Sequence, residues 1–451
     1  MQTLPLITHT SFDQPIAWCK DTSISVEKFL ADAQYLAALL PAGKHILNVC
    51  RDRYHFSVGL AAAIISNKIS LLPPTHTLEM VSQLQAYATD VFCLHDNDDC
   101  DIALPRLSYP IMPQYHAQKV LIPQINTEQL IAIVFTSGST GQPNPHPKRW
   151  GSLVHNVQAQ AKRLQLSSNI QYSIIGTIPP QHMYGFESTV LLPWQSGNAL
   201  SHTQPFYPAD ICSAMQATPA PRILVSTPLH LRLLLDSGLN IPEAALVLSA
   251  TAPLSDSLAH KVEAALKAPL IEIYGSTETG QIATRRTTHG NSWHLLPEIK
   301  LIQKGEQVFA EGGHVEIATL LNDIIELTEP SYFLLHGRTQ DLINIAGKRS
   351  SLANLNHHLN AIEGVIDGAF YMPDERSHDH VTRLSACVVA PNLTTSQLLA
   401  ALRTKIDPVF LPRPLLFLDT LPRNTTGKLP REVLKKLFDA PINQDLSCTH
   451  S

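Results

Sequence analysis

The sequence predicts a layered α/β protein: a large N-terminal α/β domain with a small antiparallel β subdomain, then a small α+β C-terminal domain. Three observations predict it. At 451 residues the chain is too long for one ordinary core. As far as Tyr274 it alternates helical and strand-like periodicity, the mark of a largely parallel sheet. Beyond Trp293 the pattern becomes short alternating runs, and after Gly337-Arg338 about 110 residues remain, a plausible separate unit. The expected division is 1–338 and 339–451.

The elements follow in order. Val26 to Leu40 has helical spacing, His45 to Val49 reads as a short strand and Tyr54 to Ser66 as a helix. Ile69 to Leu72 is a strand closed by Pro73-Pro74, and Ile131 to Phe135 is an apolar strand. A helix near Val154 to Leu164, a strand from Tyr172 to Ile178, a helix from Leu229 to Ser237 and a strand from Ala245 to Leu248 come next. Ser255 to Lys267 is a helix leading into the strand Leu270 to Tyr274. Runs such as Gly313 to Ile317 and Tyr332 to Leu335 alternate as antiparallel strands do. In the last unit we expect helices at Leu352–Asn360 and Ser396–Ile406 and strands at Ala369–Met372, Leu384–Ala390 and Leu415–Leu418. Pro430 suits the first turn of a terminal helix reaching Phe438.

Composition excludes several classes. With 44% hydrophobic and 16% charged residues and a net charge of −5, nothing draws the chain electrostatically to nucleic acid or an anionic membrane. Seven scattered cysteines without a Cys-x-x-Cys pair read as reduced thiols of a cytosolic protein, not a disulfide frame or zinc site. Residues 1–15 lack a signal-peptide pattern, and the longest apolar stretch, Val58 to Ile65, is far short of a membrane span. The expected location is the cytoplasm.

The strand Ile131–Phe135 runs into Thr136, Ser137, Gly138, Ser139, Thr140, Gly141, Gln142 and Pro143. Small hydroxyl residues and two glycines after a strand present backbone N–H groups and hydroxyls to one point, which suits an anionic phosphate chain. The usual nucleotide loop is excluded, because Gly427-Lys428 is followed by Leu429 and no Gly-x-x-x-x-Gly-Lys-Ser/Thr string occurs. A serine hydrolase is excluded too, since neither Ser137 nor Ser139 lies in Gly-x-Ser-x-Gly. Because ligands sit beyond the carboxyl ends of strands in open α/β sheets, the ends of Ile131–Phe135 and Leu270–Tyr274 are candidates for one pocket.

Six segments in order resemble the adenylate-forming superfamily of acyl- and aryl-CoA ligases, peptide-synthetase adenylation domains and luciferases. They are Phe135–Pro143, Pro179–Gly185, Tyr274–Gly280, Asn322-Asp323, Gly337-Arg338 through Gly347-Lys348-Arg349, and Pro422 through Lys428. The resemblance covers about residues 70 to 438 and is greatest to the short acyl-adenylating ligases of fatty-acid-like or aryl-polyene gene clusters. It implies ATP-dependent, Mg²⁺-dependent activation of a fatty, hydroxyacyl or aryl acid to an acyl-adenylate. Transfer to a thiol would follow, on coenzyme A or on the phosphopantetheine of an acyl carrier protein.

By the same resemblance, Thr136 to Gly141 would cradle the departing phosphates, Thr277 would bond the α-phosphate and Glu278 would hold Mg²⁺. Tyr274 would stack near adenine, with Gly275 and Ser276 beside it and Ala250, Thr251 and Ala252 on its other side. Asp323 would take the ribose hydroxyls, with Arg338 close by. Lys428, on a mobile C-terminal domain hinged at Gln340, would bring a point charge to the reacting oxygens. Gly347 would line the thiol's channel. His182 and Gly185 fall in the segment bordering the acyl pocket; His182 either orients the carboxylate or is a hydrogen-bonded histidine without catalytic duty. Glu187 and Trp194 are read as fold residues.

Three departures stand out. Asn144-Pro145 replace the Lys-Gly of relatives, so a phosphate-facing cation is missing, and Ala250 and Gln340 also leave the pattern. Lys148 follows, but Pro143, Pro145 and Pro147 favour an extended chain that sets it about 12 Å from position 144. These departures motivate an alternative, a degenerate member that binds acyl or nucleotide ligands without turnover.

Overall fold

The computed structural model describes residues 2–20, 22–113, 120–137, 143–166, 170–338, 342–345, 348–373, 384–423 and 429–439. Its chain forms two compact units: Met1–Ala250 with Leu258–Leu321 and Glu329–Tyr332, and Thr251–Ser257 with Asn322–Thr328 and Phe333–Ser451.

The first unit holds two large sheets. One is six-stranded, in the order Pro143–Arg149, Leu130–Ser137, Ile69–Leu72, His45–Asn48, Phe92–His95, Arg106–Ser108. Its pairings are parallel except that of the Pro143–Arg149 edge. Strands of a sheet covered on both faces read as continuous apolar runs, and Ile69–Leu72 is buried at every residue. The helices Val26–Leu39 and Arg53–Ile65 begin where the side chains of Ser25 and Asp52 accept first-turn N–H bonds. The Pro-rich stretch, expected only to be extended, is an antiparallel edge strand. Its register sets Asn144, His146 and Lys148 opposite Thr136, Val134 and Ala132. Alternation lets the three prolines turn their missing donors away from the one partner strand, which an edge tolerates.

In this unit the larger sheet runs Ser292–Leu295, Gly280–Arg285, Leu270–Ser276, Leu246–Ser249, Arg222–Ser226, Ser173–Gly176, Ala199–Ser201, Pro15–Cys19, Thr22–Ser25. It is parallel in the middle and antiparallel at both margins. The fully buried Arg53 ties the two sheet systems: its guanidinium donates to the carbonyls of Gly176, Ile178, Ser201 and Thr203. Burial lowers its pKa to about 10, so it stays charged; both terminal nitrogens find carbonyl acceptors. The helix expected near Val154 begins earlier, at Trp150, whose fully buried ring extends the apolar face one turn back. A small antiparallel sheet of Lys300–Lys304, Gln307–Gly312 and Val315–Leu321 supplies the expected β subdomain.

The second unit packs the helices Leu352–Asn360 and Thr395–Arg403 against a sheet of Asp367–Tyr371, Ser385–Val389 and Leu415–Phe417. It also carries the hairpin Leu342–Ile345/Lys348–Ser351 and the strands Asp323–Glu329 and Tyr332–Arg338 apart from their tip, Glu329–Tyr332. Among the described residues no helix is long and apolar enough to cross a membrane.

Candidate active site

The ends of Leu130–Ser137 and Leu270–Ser276, strands of different sheets, are joined by side chains. Thr136 Oγ1 lies 2.9 Å from His146 Nε2, and that nitrogen lies 3.7 Å from Glu278 Oε1. One pleat further along the edge strand, Lys148 Nζ donates to the carbonyl of Thr277. The hairpin thus turns His146 and Lys148 onto the face that meets the Thr277–Glu278 turn.

That turn is tightly specified. It links Leu270–Ser276 to Gly280–Arg285, with Ser276 opposite Gly280. The Ser276 N–H donates to Thr279 Oγ1 at 3.1 Å, and Thr279 Oγ1 donates to the Gly280 carbonyl at 2.8 Å. A Cβ on Gly275 would stand 2.1 Å from the Gly280 carbonyl oxygen. Gly280 has φ +69°, and a Cβ there would meet Asn156 Nδ2 at 2.2 Å and Glu187 Oε1 at 3.1 Å. Gly280→Ala combines backbone strain with a clash against a buried polar network, so we expect a loss of about 2–3 kcal/mol in urea unfolding. An unchanged midpoint would refute this.

Electrostatics keep Glu278 anionic. Burial raises its pKa, but the Ser276 hydroxyl, its own backbone N–H and the nearby His146 and Lys148 outweigh that, leaving it below the ordinary carboxylate value. Its side chain is about half exposed. Behind the turn, Glu187 is fully buried in a π-helical stretch, Phe186–Leu191. Asn156 Nδ2 donates to its Oε1 and Gln281 Nε2 to its Oε2 at 3.2 Å. Burial lifts it to about 7, against the pull of Lys148 and of these two donors. Burial lowers Lys148, opposed by Glu187 and then Glu278.

The other expected residues are placed as follows. The Tyr274 ring sits 5.5 Å from that of Trp293, which Arg285 overlies at 4.6 Å. His182, half-buried, leads the short turn Met183–Gly185, its backbone N–H bonded to Pro179 O. Gly185 is required by packing, since a Cβ would come within 2.1 Å of the same Pro179 oxygen. Ala250 follows the strand Leu246–Ser249; Thr251 has φ +80°, rare for a β-branched residue, and Ala252 is half-buried beside it. Asp323 opens one strand of its hairpin and Arg338 closes the other, so their backbones meet at its open end. The backbone of Ser137 is described. Gly138, Ser139, Thr140, Gly141, Gln340, Gly347 and Lys428 lie outside the described residues.

Sequence reasoning missed His146, Asn156, Glu187 and Gln281 as partners of the turn. It also took Lys148 as unable to substitute simply for a cation at position 144 unless the loop folds back. In the structure that separation holds, and Lys148 bonds the Thr277 carbonyl, a partner that reading did not name. A signal existed, because Pro-x-Pro-x-Pro with His146 and Lys148 two apart puts both on one face of a strand.

Comparison with known proteins adds to this geometry. Residues 38–307 match the family model described as AMP-binding enzyme. A Rhodobacter capsulatus 4-coumarate–CoA ligase is 30% identical over 307 residues, covering 67% of this chain and 75% of that protein. ATP-bound MatB from Rhodopseudomonas palustris superposes with a TM-score of 0.79 at 18% identity, covering 95% of this chain and 97% of that one. The o-succinylbenzoate coenzyme A synthetase of Bacillus subtilis, solved with ATP and magnesium, gives 0.78 at 17% identity, covering 94% and 97%. With the family model matching more than half of its length, the chain belongs to the AMP-binding enzyme family, the adenylate-forming acid–thiol ligases that its motifs resemble.

Proposed function

We propose that this enzyme activates an aromatic carboxylic acid with ATP, releasing pyrophosphate, and passes the acyl group to the thiol of coenzyme A with release of AMP. The observation that carries the reading is the junction where Thr136, His146, Lys148, Thr277 and Glu278 meet, with hydroxyls and one anionic, half-exposed carboxylate at the ends of two sheets. The aromatic class is supported by the 4-coumarate specificity named for the relative from Rhodobacter capsulatus.

The residues fit the implied groups. Mg²⁺ commonly takes one or two protein carboxylates and completes its shell with phosphate oxygens and water. Glu278 supplies such a carboxylate, and no cluster of three or more ligating side chains occurs among the described residues. When bound, the ion would neutralise phosphate charge. Thr136 and Thr277 offer hydroxyls toward the phosphates, and the closed Ser276–Thr279 turn holds Thr277 and Glu278 in place. In this scheme residues 1–338 bind ATP and acid, and residues 339–451 deliver Lys428. The reaction takes place in the cytoplasm, where ATP and coenzyme A are supplied.

The test is pyrophosphate release over a panel of aryl, hydroxy and fatty acids, then mass spectrometry with coenzyme A and with holo acyl carrier protein. We expect release with at least one aryl acid and a coenzyme A thioester. No acid-dependent release across the panel overturns the reading. Release only with fatty acids, or a thioester only on the carrier, overturns the corresponding half.

A further inference from the structure

The edge strand Pro143–Arg149 carries a cation with a direct bond to the turn that holds Thr277 and Glu278. Lys148 Nζ donates to Thr277 O, and no cation stands at position 144, where Asn144 is exposed on the same strand face. Four residues of strand separate them, about 13 Å, so Lys148 cannot replace a side chain at 144. It occupies a different place, bonded to the carbonyl of the turn.

Glu187 is itself built into that place. Its oxygens accept from Asn156 and from Gln281, the residue after Gly280 in the strand that leaves the turn. Gly280 lies where a side chain would strike both Asn156 and Glu187. A carboxylate with no solvent access is tolerated when a cation and hydrogen-bond donors compensate it. The attraction of Glu187 is the foremost influence opposing the burial of Lys148. π-Helical stretches such as the one carrying Glu187 often occur at functional sites.

We propose that Lys148 is a positioning residue: its bond to the Thr277 carbonyl fixes the Thr277–Glu278 turn for the adenylation step. It does not replace the absent cation at 144 as a phosphate ligand. The inference rests on the adenylating function proposed above.

The test compares wild type, Lys148→Met, Glu187→Gln and Lys148→Met/Glu187→Gln, using the full chain. Lys148→Met leaves Glu187 buried and uncompensated, so it should lower the melting temperature. The double variant should regain stability, because the pair is removed together. In the double variant, hydrogen exchange over residues 276–281 should quicken at least tenfold. Its kcat for pyrophosphate release should fall at least tenfold, with the KM for ATP changed less than threefold. Wild-type exchange and kcat in the double variant would overturn the proposal, reducing Lys148 to charge compensation. A tenfold rise in KM for ATP at unchanged kcat would overturn it in favour of a phosphate ligand. If the wild type releases no pyrophosphate with any acid, the adenylating reading fails, and the exchange measurement alone then decides whether Lys148 holds the turn.

Discussion

Lys428→Ala is expected to slow acid-dependent pyrophosphate exchange by at least about 100-fold, the scale seen when one electrostatic stabiliser is removed from a charge-developing transition state. Thioester formation from supplied acyl-adenylate should stay within about threefold of wild type, because that half-reaction no longer brings a carboxylate against a phosphate. The described residues that flank the lysine in sequence are each held within the second unit. Arg423 holds Asp367 through two bonds, Nε to Oδ2 at 2.6 Å and Nη2 to Oδ1 at 2.7 Å. Beyond the lysine, Leu429 and Leu434 join a core cluster with Tyr371, and Phe438 stacks on Tyr371 at 5.5 Å. Both contacts lie in the second unit. Equal loss of both half-reactions would show instead that Lys428 supports the protein generally.

Most of the layered fold was legible because strand and helix periods are local properties. Ile69–Leu72 and Leu352–Asn360 fall where their patterns place them. The edge strand Pro143–Arg149 was not, because prolines argue against a strand until it is known to lie at an edge, and that is a fact about the sheet. The Thr277–Glu278 turn was readable as a motif because its glycines serve close backbone approach. Lys148 and Glu187 were not, being 39 positions apart and related only once two sheets and the helical segment between them are packed. Glu187 reads in sequence like any polar residue of an amphipathic helix. Its burial, and therefore its need for a cation, is a property of packing.

Acidification below pH 6.5 should destabilise the protein steeply. His9, His230 and His314 are buried, and burial lowers each from 6.5 to about 4. Between those values the unfolded chain binds protons that the folded chain refuses, so stability present above pH 6.5 is lost as pH falls toward 4. Each histidine accounts for about 3 kcal/mol over the full window, at 1.36 kcal/mol per pKa unit. Glu187 works in the opposite direction: raised from 4.5 to about 7, it contributes stability as pH falls through that range and offsets about one histidine. His76, His146, His294 and His358, each lowered by burial, add in the same direction as the three histidines. Among the first four groups two net protons remain, giving a slope of about 2.7 kcal/mol per pH unit in the middle of the window. That is a large part of a typical total stability of about 5–15 kcal/mol. The arrangement of His230 shows why protonation is refused. Its Nδ1 lies 2.9 Å from Thr227 Oγ1, while Nε2 has no partner among the described residues, so a second N–H would be buried without an acceptor there. Urea midpoints at pH 7.5, 6.5, 5.5 and 4.5 check the slope, with His230→Asn as the informative variant. It should be less stable than wild type at pH 7.5 and lose about one proton's share of the slope. A midpoint that stays flat from pH 6.5 to 4.5 would mean that the folded chain accepts these protons, and that the three imidazoles are reached by water.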